Sequence, residues 1–94
     1  MKARDVQRAL EKKGFQKKEG GRHTKYILYV EGKKTRVITV FSRGRDKKEL
    51  GNDLLRRIKK QLHLEEDDMF QDFVECPLTY EDYLSVLRQK GGVI

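Results

Sequence analysis

The stretch KYILYVEGKKTRVITVFS, Lys25–Ser42, decides the fold. Its two halves are rich in β-branched and aromatic residues, and Glu31-Gly32-Lys33-Lys34 divides them. Residues 25–31 therefore read as one strand and residues 35–42 as the next, joined by a hairpin whose glycine supplies a positive φ. Alternation along the first strand puts His23, Lys25, Ile27 and Tyr29 on one face, if the strand starts that early. Tyr26, Leu28 and Val30 then face the helices.

Upstream, residues 3–13 have helical spacing, with Val6, Ala9 and Leu10 at i, i+3 and i+4 and charged residues around them. Gly14 is placed to end that helix. Phe15 to Lys18 read as a short first strand, and Gly20-Gly21 as a turn. Arg43-Gly44-Arg45-Asp46 is a loop. A second helix follows, with Asn52 or Asp53 as the expected cap. Leu54, Leu55, Ile58 and Leu62 form its apolar stripe, and Arg56, Arg57, Lys59 and Lys60 its basic side.

Residues 65–75 read as a short acidic helix with Met69, Phe70 and Phe73 as apolar points. Glu65-Glu66-Asp67-Asp68 suit a helix start better than a metal site. Pro77 interrupts the pattern. Thr79 and Asp82 have the spacing of a capping box, and Tyr83, Leu84 and Leu87 give the last helix its apolar face. Gly91-Gly92 frees its end. The expectation is one α+β domain with an α-β-β-β-α core over residues 1–64. An acidic helical extension, residues 65–94, packs on the same domain.

The chain has 94 residues, 39% of them charged and 36% hydrophobic. No apolar run approaches the roughly 18 residues that span a bilayer, and Lys2, Arg4, Asp5 and Arg8 break up any leader pattern. A soluble cytoplasmic protein is expected, with no membrane partner. Cys76 is the single cysteine, which excludes an intrachain disulfide and suits a small, partly buried residue. No motif asks for a metal or another cofactor.

Charge is divided along the chain. Residues 1–63 hold 20 Lys and Arg against 7 Asp and Glu, and residues 64–94 hold 2 against 8. A basic body points to a polyanion. Within it lies Gly20-Gly21-Arg22-His23-Thr24-Lys25-Tyr26, a histidine among cations at the mouth of a strand. Histidine titrates near neutrality and serves as acid or base, while cations hold phosphate. The plainer alternative is a loop histidine bonded to backbone. His63, at the end of the second helix, reads as structural.

These residues also resemble a known family. The initial helix ending Glu11-Lys12-Lys13-Gly14-Phe15, the Gly21-Arg22-His23-Thr24-Lys25-Tyr26 segment, Lys48-Glu49-Leu50-Gly51 and Leu54–Leu62 are together similar to the HicA-like (YcfA-like) toxins of toxin–antitoxin pairs, over roughly residues 2–64. The resemblance implies a double-stranded-RNA-binding-like fold and a messenger-RNA ribonuclease with His23 as the catalytic residue. It also implies a HicB-like antitoxin that covers the active surface. Arg22 departs from the serine or asparagine usual before that histidine. Arg43 stands where many members carry a second histidine.

In this reading His23 transfers a proton without metal. The RNA contacts are expected from Arg22, Lys25, Lys17, Lys18, Arg43, Arg45, Lys47 and Lys48, and the partner acid from Tyr26, Tyr29, a lysine or water. Two other readings compete: a non-catalytic RNA-binding module of the same fold, and an adaptor whose acidic tail binds a basic partner or shields the basic face.

Overall fold

A computed structural model describes residues 1–42, 49–75, 77–91, 93 and 94. The elements are α1 (Ala3–Lys12), β1 (Phe15–Gly20), β2 (His23–Val30), β3 (Lys33–Ser42), α2 (Asn52–Leu62), α3 (Asp67–Glu75) and α4 (Tyr80–Gln89). The α-β-β-β-α core and helical extension follow the order read from the sequence. The loop at residues 43–46, Cys76 and Gly92 lie outside the described residues.

The strands form an antiparallel sheet in the order β1-β2-β3. Gly20 pairs with His23, Lys18 with Lys25 and Phe15 with Leu28. On the other side of β2, Lys25 pairs with Val40, Tyr26 with Thr39 and Ile27 with Ile38. The β2–β3 hairpin turns on Glu31 at φ 53 and Gly32 at φ 77. Both are positive, the conformation that matches the twist of two-residue hairpins. A register shift between Ile27 and Tyr29 breaks the ladder before the turn.

Alternation sorts the side chains. Phe15, Tyr26, Leu28, Val37 and Phe41 share one buried cluster with Val6 and Leu10 of α1 and with Ile58 and Leu62 of α2. The helices therefore cover one sheet face. Thr39, fully buried on that face, donates from Oγ1 to Gln61 Oε1 at 2.7 Å and ties β3 to α2.

Several boundaries differ from the sequence reading. β1 runs to Gly20 rather than Lys18, because the β2 ladder holds a charged edge segment that shows no apolar alternation of its own. β2 begins at His23. The cap of α2 is Gly51, without a side-chain hydrogen bond; Asn52 and Asp53 already belong to the helix. Ile58 and Leu62 are buried, while Leu54 and Leu55 are only half-buried.

The extension completes the core. Phe70 and Phe73 of α3 and Tyr83, Leu84 and Leu87 of α4 belong to the same cluster. Phe73 and Tyr83 meet with ring centroids 4.9 Å apart, and Phe15 lies 6.0 Å from Tyr83 and 6.4 Å from Phe73. Lys13 is buried with its ammonium 5.2 Å from the Phe73 ring centroid, a cation–π contact. The Thr79–Asp82 capping box forms as read.

Gly14 links the two parts. It ends α1 at φ 84, and a β-carbon there would sit 2.5 Å from Tyr80 Cε1. Tyr80 in turn donates from its hydroxyl to the Tyr29 carbonyl at 3.2 Å. Gly14→Ala is expected to cost about 1–3 kcal/mol from backbone strain alone, with more from moving Tyr80. Urea unfolding measures it, and an unchanged midpoint would contradict this packing.

Tyr83 donates from its hydroxyl to the Leu62 carbonyl at 2.8 Å, and burial pushes its phenol well above the ordinary range. The folded state therefore favours the protonated form. That stability is present below about pH 10 and is lost as pH rises above it. Tyr83→Phe should cost about 1 kcal/mol at neutral pH and give a shallower alkaline decline, measured by unfolding at a series of pH values.

Candidate nucleic-acid interface

With the helices on one side, the other face of the sheet carries no packed element among the described residues. His23 opens β2 immediately after the two-residue loop Gly21-Arg22, and Gly21 adopts φ 58 there. Thr24 is buried, which directs His23 and Lys25 to the open face, where both are exposed. Same-face neighbours on a strand lie about 7 Å apart along the chain. Lys18 lies directly across from Lys25 on β1, and side chains so paired have β-carbons about 5 Å apart.

The cross-strand neighbour of His23 on β1 is Gly20, which has no side chain. A β-carbon built on Gly20 meets nothing within 4 Å, so the space beside it is open for a ligand.

The charges are unbalanced. Arg22, Lys18 and Lys25 are all exposed, and none pairs with a carboxylate among the described residues. The ion pairs among the described residues are Met1 with Glu49, Lys17 with Glu19, and Lys59 with Asp67. Two lysines placed directly opposite repel each other, which an anion between them would relieve. No outward strand position among the described residues carries a carboxylate: Gln16, Lys18, Lys25, Ile27, Tyr29, Ile38 and Val40 occupy that face along with His23.

The sequence candidates separate on this geometry. His23, Lys18 and Lys25 come together, with Arg22 in the adjoining turn. Lys17 pairs with Tyr26 across the ladder, so it takes the helix side of the edge strand, where it meets Glu19 at 3.2 Å. Arg43, Arg45, Lys47 and Lys48 lie outside the described residues. Tyr26 is buried on the helix side against Phe41, ring centroids 5.7 Å apart, which removes it as a partner acid for His23. Tyr29 shares the open face but lies six residues, about 20 Å, from His23. The open flank beside Gly20 escaped the sequence reading, because only the cross-strand register reveals it.

His63 caps α2 in the left-handed conformation at φ 61, a structural position. Asp67 is held below the usual carboxylate range by its hydrogen bond to Lys59 and by the Lys59 charge, which fits a helix-start carboxylate. No group of His, Cys, Asp and Glu among the described residues is arranged to hold a metal ion. No described helix is long and apolar enough to cross a membrane.

A small α+β domain is thus defined, with a sheet face free of helices among the described residues that exposes His23, Lys18 and Lys25. The model of the HicA toxin of bacterial toxin–antitoxin systems matches residues 3–64. The chain belongs to that family, and the family implies an antitoxin partner. Nothing among curated proteins or solved structures matches it significantly.

The acidic extension does not screen this face. α3 contacts α1, Lys59 binds Asp67, and His23 and Lys25 stay exposed. Its role in the core is large: five buried side chains at about 1.5–3 kcal/mol each rival the whole stability of a small domain, about 5–15 kcal/mol. A chain ending at Leu64 is expected to lose its cooperative thermal transition. A melt like that of the full chain, followed by circular dichroism, would show the extension to be merely appended.

Proposed function

We propose that this protein is the toxin of a HicB-like antitoxin-controlled pair, acting in the cytoplasm as a metal-independent ribonuclease on messenger RNA. Residues 1–64 are its RNA-handling core and residues 65–94 its structural extension. The α-β-β-β-α order with one-sided helices supports a double-stranded-RNA-binding-like origin. The observation that carries the reading is the exposed His23 beside Lys25 and Lys18, on a sheet face with no carboxylate at its described outward positions.

The chemistry follows from the substrate. The RNA 2′-hydroxyl attacks the adjacent phosphorus, the bond to the 5′-oxygen breaks, and a cyclic phosphate and a free 5′-hydroxyl result. One proton leaves the 2′-oxygen and one reaches the 5′-oxygen. His23 performs one of these transfers. Arg22, Lys18 and Lys25 neutralise the charge that gathers on the phosphoryl oxygens. Water or a lysine supplies the second transfer, since neither Tyr26 nor Tyr29 lies near enough. Arg43, Arg45, Lys47 and Lys48, which follow β3 in the chain, are proposed as further RNA contacts. The antitoxin inhibits by covering this face.

The test is cleavage of a long single-stranded RNA with EDTA present. His23→Ala should lower the rate at least 100-fold, the low end for general acid–base catalysis, and retain salt-sensitive RNA binding. Equal rates would remove His23 from the chemistry. Binding by both proteins with cleavage by neither would leave an RNA-binding module.

A further inference from the structure

At the far end of β2 from His23, a cleft of about 440 Å³ opens beside the β2–β3 hairpin. Lys33, Lys34 and Arg36 line it from β3 and Arg88 from α4, with Val30 and Val93 as apolar wall. Among the side chains that line it, four are cationic and one, Glu31, is a carboxylate. None of the four is ion-paired among the described residues. Gathering four like charges around one concavity is unfavourable unless an anion occupies it.

The cleft lies beyond the far end of the His23 face and reaches round the hairpin to the helix side, where Val30 and Val93 pack against the core and Arg88 comes from α4. Lys34, which pairs with Tyr29 on β2, stands at the corner between the two. From His23 to Tyr29 is about 20 Å, the span of several nucleotides of an extended strand, which then turns round the hairpin to enter the cleft. A rigid duplex has no base faces to offer, whereas an unpaired strand presents phosphates to the cations and bases to Tyr29 and the apolar wall.

We propose that this hairpin cleft is a second RNA site, which grips the phosphates of a single-stranded segment several nucleotides from the bond held at His23. The proposal rests on the ribonuclease reading for the direction of the strand, but it is tested by binding, independently of cleavage.

In the full-length His23→Ala background, Lys34→Ala/Arg36→Ala is compared with Arg56→Ala/Lys60→Ala, a pair on the exposed side of α2. Fluorescence anisotropy follows a labelled 12-nucleotide single-stranded RNA and a 12-base-pair duplex RNA at several salt concentrations, with circular dichroism confirming the fold. Removing two phosphate contacts should weaken single-strand binding about tenfold or more. It should also make the slope of log affinity against log salt shallower by about 1.4. The α2 pair should change neither. Unchanged single-strand affinity in Lys34→Ala/Arg36→Ala overturns the proposal. So does a loss confined to the α2 pair, or a preference for the duplex. A parent that binds in this way yet never cleaves would sink the ribonuclease reading and leave the site standing.

Discussion

The antiparallel pairing of β2 with both of its neighbours is the constraint on which the rest of this structure depends. A strand with a period of two presents alternate residues to opposite faces. Thr24, Tyr26 and Leu28 go to the helices. His23 and Lys25 go the other way, and the β1 register sets Gly20 and Lys18 beside them. A slip of one residue would bury the histidine and expose Tyr26. The large inward side chains, rather than the polar ones, therefore fix which face His23 and Lys25 occupy.

The helices enforce that choice from one side. α1 and α2 cover the sheet, and α3 and α4 supply the aromatic centre of the same core. The acidic tail thus packs on the helix side of the sheet. Its carboxylates are spent on helix starts, on the Thr79–Asp82 box and on Lys59, leaving the open face to cations.

Much of this was legible in the chain. The hairpin could be read because Tyr26, Leu28, Val37 and Phe41 alternate with outward residues and Glu31-Gly32 interrupts them. α4 could be read because the Thr79–Asp82 box is local. The placement of His23 and Lys25 on one face came from strand period alone. Other features depend on partners distant in sequence. The run Gln16–Gly20 has no apolar rhythm and becomes a strand only through β2. Lys13 resembles any helix-surface lysine until Phe73 lies beneath it, and Gly14 looks like a simple helix stop until Tyr80 arrives. The cap of α2 missed by one residue, because Gly51 offers no side chain to identify it. Lys17 and Lys18 are adjacent in sequence and fall on opposite faces, which a list of basic residues does not distinguish.

The central claim is that RNA is handled on the sheet face opposite the helices. The most direct test is amide chemical-shift mapping of the His23→Ala protein titrated with a short single-stranded RNA. The account predicts perturbations at Lys18, Gly20, Arg22 and Lys25 that continue along β2 toward the hairpin, with α1 and the exposed side of α2 unmoved. Shifts concentrated on α1 and α2, with β1 and β2 silent, would contradict it.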